Sequence, residues 1–264
     1  MADAMTTAGG GSERPLAGRT AIVTGSGRNL GRGVALGLAR AGANVVLNGH
    51  RDVDALESVA AEVQQLGARP LVVRADVGDP DAVSAMVKSA RDAFGSVDIA
   101  VSNVGVRHHQ PFLEISVDDW RSILNTNLNA AFYMARAVLP GMVERGWGRI
   151  IHMSGRDGFF PKTHRAHNVT CKAGVFALAK AIAVEFGPRG ITANTIAPGI
   201  IETSRDPADY PDFEHEYEKR RQAMPVRRLG RVEDIAEACV YLCSEAGGFV
   251  TGQVLHVNGG EFIG

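Results

Sequence analysis

The chain has 264 residues, 45% apolar and 22% charged, enough to bury the core of one globular domain. With 28 basic against 29 acidic residues and no basic block, the charge argues against nucleic-acid or membrane-surface binding and leaves small molecules as the expected partners. Three cysteines, Cys171, Cys239 and Cys243, lack zinc-type spacing, and no apolar run reaches the roughly 18 residues that span a bilayer, so a reducing, cytoplasmic setting is expected.

The opening "MADAMTTAGGGSERP" has neither the basic start nor the apolar centre of an export signal; residues 1–14 read as a disordered tail and 15–264 as a single domain. Beyond it, short apolar runs alternate with stretches of helical period, without internal repeats. "TAIVTG", "NVVLNG", "PLVVRAD", "DIAVSN", "RIIHMS", "ITANTIAP" and "QVLHVNGG" carry β-branched residues bounded by Gly, Pro, Asn or Asp. Helical segments separate most of them. The pattern predicts an α/β fold: an open, doubly wound parallel sheet with helices on both faces, whose ligands bind beyond the carboxyl ends of the strands.

The first strand runs into "TGSGRNLGRG" and a helix. Gly25, Gly27 and Gly31 let backbone amides approach a diphosphate, and the helix amino end adds partial positive charge. Asn29 stands where a further glycine is expected, and asparagine is the non-glycine residue best suited to a left-handed backbone. The second strand ends in "LNGHRD". A carboxylate there would bind the ribose of NAD; instead Gly49, His50 and Arg51 follow, with Arg28 in the glycine turn, which favours a 2′-phosphate and hence NADP(H) over NAD(H). Asp76, after the third strand, is placed either to hydrogen-bond an adenine amino group or to cap a turn.

After the fourth strand come Arg107, His108 and His109, and Arg107 is suited to an anionic substrate. The stretch "KTHRAHNVTCKAG" crowds His164, His167, Asn168 and Lys172 ahead of and into an apolar helix. Histidine exchanges protons near neutrality, so His164 and His167 are candidate acids or bases. No carboxylate or cysteine lies at ligand spacing, so no metal site is expected. Cys239 and Cys243, one helical turn apart, read as core.

Taken in order, "TGSGRNLG", "VSNVG", "TNLNAAF", "KAG" and "APGIIET" resemble the short-chain dehydrogenase/reductase family, and in particular its 3-oxoacyl-[acyl-carrier-protein] reductase-like members, over about Leu16 to Gly260. The resemblance implies a seven-stranded sheet, a nicotinamide cofactor and a homo-oligomer, dimer or tetramer. It also implies cofactor contacts at Leu30, Val77, Asn103, Gly105, Lys172, Pro198, Gly199, Ile201 and Thr203, and a substrate lid near 203–224. Tyr210, Phe213 and Tyr217 in that lid either close on an apolar or aromatic substrate or pack the insertion down.

The family's active site is asparagine, serine, tyrosine and lysine. Asn127 and Lys172 match the first and last. Asn168 stands at the tyrosine position and Gly155 at the serine position, with Gly158 matching the glycine three residues on. An amide can hydrogen-bond a substrate but cannot supply a proton, and general acid catalysis of this kind is worth about 10² to 10⁴ in rate. Ser154, one position early, should face away from the site.

Three functions therefore stand open. The first is an NADP(H)-dependent carbonyl or alcohol oxidoreductase with an altered acid. The second is a non-redox enzyme, such as a hydratase, decarboxylase or C–C bond hydrolase, using a histidine base. The third is a cofactor-binding protein without turnover.

Overall fold

The computed structural model describes residues 14–204 and 213–263. Residues 1–13 of the expected tail, and Tyr210 within the expected lid, lie outside the described residues. Seven strands, β1 (Thr20–Thr24), β2 (Asn44–Gly49), β3 (Pro70–Arg74), β4 (Ile99–Ser102), β5 (Gly148–Met153), β6 (Ile191–Pro198) and β7 (Val254–Val257), form one sheet in the order β3-β2-β1-β4-β5-β6-β7. All pairings are parallel. The doubly wound α/β fold predicted from the alternating pattern is the one observed.

Alternation along each strand sends successive side chains to opposite faces, and each face has its own helical cover. Val23, Val45, Leu47, Ile151 and Ile196 pack with residues of α1 (Asn29–Arg40), α2 (Val53–Gln65) and α8 (Val232–Cys243). Ile22, Val46, Ala100, Ile150 and Ala193 pack with α3 (Pro80–Phe94), α5 (Ala130–Arg145) and α6 (Ala166–Phe186). Helix α1 can lie close to α8 because it presents glycines: a Cβ on Gly33 would fall 1.9 Å from Val232 Cγ1. Cys239 and Cys243 are free, buried thiols on that same face of α8.

Helix ends follow their capping residues. Asp79 accepts from the amides of Asp81 and Ala82, Pro80 opens α3, and Gly95 closes it in the left-handed region. The fourth strand, Ile99–Ser102, is shorter than "DIAVSN" suggests, and Asp98 directly precedes it. Its buried carboxylate accepts from the Thr20 amide and the Ser96 hydroxyl and faces Arg145 at 3.3 Å, fastening the start of β1 to the start of β4.

The chain winds outward from β1 to β3, then returns so that β4 pairs with the other edge of β1. Their outgoing connections diverge there, which opens a crevice at the carboxyl ends of β1 and β4. Short helix α4 (Val117–Leu124) runs through a π-helical turn, Asn125–Asn129, into α5. Helix α7 (Phe213–Ala223) lies in the expected lid region. Tyr217 packs with Ile200, Met224 and Leu229 and donates to the Ile201 carbonyl at 3.2 Å, so it holds α7 to the exit of β6.

Candidate active site

The glycine turn between β1 and α1 has the backbone that its residue types suggest. Gly25 (φ 62°) and Asn29 (φ 50°) are both left-handed. A Cβ on Gly31 would sit 2.0 Å from the Gly25 carbonyl oxygen and 2.7 Å from Asn103 Nδ2, so only glycine lets the helix start pack on the turn. Helix α1 has no side-chain cap and no acid in its first turn. Its leading amides therefore suit an anion, and the turn fits a dinucleotide diphosphate. The Asn29 amide also ties in a distant segment: its Oδ1 accepts from the Ser204 amide and hydroxyl, and its Nδ2 donates to the Ser204 carbonyl.

Several residues expected to touch a cofactor also have structural parts of their own. Asn103 Nδ2 donates to the carbonyls of Thr24 and Gly25, and its own amide donates to Thr24 Oγ1, so its side chain braces the glycine turn. Val77 and Ile201 bury their side chains and offer a ligand only main chain; Leu30 is partly buried against the core. Gly199 packs where a Cβ would meet Asn258 at 2.7 Å, and follows the buried Pro198. Thr203 is half-buried beyond β6.

Arg28 in the glycine turn, and His50 and Arg51 after β2, are exposed. Strand register adds a residue that chain order hides. Arg74 pairs with Gly49 across β2 and β3, and its Nε donates to the His50 carbonyl at 3.0 Å. The neighbouring acids are engaged: Asp52 caps α2 through the Ala55 amide, and Asp76 accepts from the Gly78 amide while its other oxygen lies 3.7 Å from His50 Nδ1. Asp76 thus caps its turn, the second of its two expected roles. Among the described residues this corner is rich in guanidinium groups.

Across the crevice, Lys172 Nζ donates to the Met153 carbonyl at 2.8 Å. A Cβ on Gly105 would be 3.5 Å from that Nζ, so the loop after β4 passes close over the amine. Burial pushes the Lys172 pKa down to about 8, aided by Arg107 and opposed by Cys171 and Asp157. Gly158 brings the loop after β5 onto α6, where a Cβ would meet the Lys172 carbonyl carbon at 3.0 Å. Ser154 is buried and donates to the Lys172 carbonyl oxygen at 2.8 Å. Asn127 closes both ends of its amide on Val106, at 2.7 Å each, and so shapes the β4 loop.

The histidines separate into distinct roles. His167, a candidate base by sequence, is buried, and its Nδ1 accepts from the Asn168 amide at 2.8 Å. That nitrogen serves the helix start, Nε2 has no partner among the described residues, and burial with nearby His108 holds the His167 pKa low. His164 is exposed with a left-handed backbone (φ 63°), and its carbonyl accepts from the Gln110 amide.

Asn168 is buried, and its Nδ2 donates to Asp157 Oδ2 at 3.1 Å, leaving Oδ1 without a partner. The same carboxylate oxygen accepts from Arg165 at 2.7 Å, and Arg165 also donates to His109 Nε2. Sequence reasoning missed Asp157 and Arg165. The available signal was the charged pair Arg156-Asp157 set between Gly155 and Gly158 where the loop meets α6. Among the described residues no cluster of three metal-ligating side chains occurs.

A family described as enoyl-(acyl carrier protein) reductase matches residues 25–261. The chain belongs to the short-chain dehydrogenase/reductase family. Family relatives include the 3-oxoacyl-[acyl-carrier-protein] reductase of Staphylococcus epidermidis, 34% identical over 93% of this chain and 99% of that protein. The L-rhamnose 1-dehydrogenase (NAD(P)(+)) of a Sphingomonas species is 37% identical over 94% and 98%. A crystal structure of a short-chain alcohol dehydrogenase from Sinorhizobium meliloti superposes with a TM-score of 0.89 at 30% identity, covering 95% of this chain and 98% of that one. Membership and fold agree with the resemblance carried by the motifs. No helix among the described residues is long and apolar enough to cross a membrane.

Proposed function

We propose that the chain is an NADP(H)-dependent oxidoreductase that interconverts a carbonyl and an alcohol. The observation that carries this reading is the pairing, across one crevice, of a glycine turn fitted to a diphosphate with Lys172 held at the end of β5. Relatives named as a carbonyl reductase and a sugar dehydrogenase support the reaction class.

Gly25, Gly27, Gly31 and the first amides of α1 would hold the diphosphate, and Arg28, Arg51 and Arg74 the 2′-phosphate. Asp76, Gly105, Pro198, Gly199 and Thr203, with the main chain of Val77 and Ile201, line the remaining path to Lys172, which meets the nicotinamide ribose. When bound, the nicotinamide supplies hydride transfer. The chain's own part is to orient the substrate oxygen near Lys172 and Asn168, with Arg107 at the mouth for an anionic group. The family's dimer or tetramer is the expected assembly.

The test is a panel of ketones and secondary alcohols followed by nicotinamide absorbance. Turnover that prefers NADP(H) over NAD(H) is expected. Absence of turnover across the panel, with cofactor bound, would overturn the reading and favour binding without chemistry.

A further inference from the structure

We infer that Lys172 itself is the proton-transfer group of this enzyme, in the role that Asn168, one helical turn earlier, cannot fill. The inference rests on the oxidoreductase reading above. It follows from what each polar group around the crevice is already doing.

Asn168 has no proton to lose, and its Nδ2 is committed to Asp157. Gly155 has no side chain. The Ser154 hydroxyl is spent on the Lys172 carbonyl; His167 Nδ1 accepts from the Asn168 amide, so the neutral ring carries its proton on the unpartnered Nε2 and has no lone pair free to act as a base; and His109 accepts from Arg165. Asp157 is bound by both Arg165 and Asn168. His164 is exposed, with its backbone turned left-handed ahead of the helix.

Lys172 differs from all of these. One hydrogen bond, to the Met153 carbonyl, anchors its amine, and an ammonium has three donors, so two remain. Glycine at position 105 keeps the facing side narrow but open, with 3.5 Å from Nζ to the place a Cβ would take. The charged and titratable groups acting on it are Arg107 from the β4 loop, which favours the neutral amine, and Cys171 and Asp157, which favour the ammonium. Burial outweighs them all. A lysine poised near neutrality can act as acid or base without a tyrosine.

In reduction, hydride reaches the carbonyl carbon and the C=O π pair moves to oxygen. That oxygen takes a proton from Nζ, leaving the neutral amine, which regains its proton from solvent. In oxidation the neutral amine accepts the hydroxyl proton as hydride leaves carbon for the oxidised nicotinamide. Reduction therefore needs the ammonium and fails as pH rises past about 8, while oxidation needs the amine and improves over the same range.

Two measurements on the full chain decide it. The first is amine labelling with trinitrobenzenesulfonate across pH, with peptide mapping of Lys172, which needs no turnover. Half-maximal labelling near pH 8 is expected, and a midpoint at the ordinary lysine value near 10.5 would overturn the inference. The second is Lys172→Arg, which keeps the positive charge. At saturating NADPH it should lower kcat by about 10² or more, and the parent's opposed pH profiles should vanish. Parental kcat in Lys172→Arg, or flat profiles in the parent, would overturn it. A poised Lys172 by labelling with no turnover of any substrate would instead count against the oxidoreductase reading.

Discussion

Asp157 accepts a hydrogen bond from Asn168 Nδ2 at 3.1 Å on the oxygen that also pairs with Arg165 at 2.7 Å. The carboxylate thereby fixes which end of the Asn168 amide faces which way, and joins the loop after β5 to the first turn of α6. Both partners of the ion pair are mostly buried, with side chains 11% and 13% exposed. Removing one leaves the other charge without compensation. Asp157→Ala should therefore cost about 3 kcal/mol of stability, read as a lowered urea midpoint. A loss under about 1 kcal/mol, as for an exposed pair, would show that the network does not hold the site.

Restoring the family's residues should have unequal effects. Asn168→Tyr places an acid one turn before Lys172 and should raise carbonyl reduction, by up to about 10² if the phenol reaches the substrate oxygen. Gly155→Ser has open space for its Cβ but a backbone φ of 157° that side chains rarely adopt. The serine should add little to the tyrosine variant and lower its melting temperature. Steady-state rates of the two single variants and the double variant check both statements.

His152 gives the fold an acid-sensitive element. It is fully buried on β5, neither ring nitrogen has a partner among the described residues, and burial pushes its pKa down to about 4. The unfolded chain, with an ordinary histidine, binds the proton more readily. Stability from this group is thus complete above about pH 6.5 and lost as pH falls towards 4. The full loss is about 3 kcal/mol. Urea midpoints measured through that window should fall in the parent and fall less in His152→Leu; equal slopes would remove His152 as the cause.

Much of this was legible in residue order, and what was not has physical reasons. The strand pattern carried the sheet, and Asn29 carried its left-handed turn, because both depend on near neighbours. Arg74 was hidden because its relation to Gly49 is one of strand register, invisible until β2 and β3 pair. Asp157 and Arg165 are eight residues apart, and they meet only because the loop after β5 folds back on the start of α6. The structural part of His167 was hidden for a subtler cause. Residue type marked it as a candidate acid or base, but type alone does not show that its Nδ1 turns back to the next amide and satisfies the helix start. Asn103, expected as a cofactor contact, likewise braces the glycine turn, a relation its place in the chain does not show.

Hydride chemistry in this crevice requires the cofactor, so the decisive measurement is a pair of parallel fluorescence titrations of the protein with NADPH and NADH, with Arg51→Ala and Arg74→Ala alongside. NADPH should bind at least about 10-fold more tightly than NADH, and each arginine variant should weaken NADPH by about 10-fold while leaving NADH nearly unchanged, as expected for loss of one charge-assisted phosphate contact. Equal affinities that the arginine variants do not disturb would contradict the assignment of NADP(H), and failure of both nucleotides to bind would contradict the oxidoreductase itself.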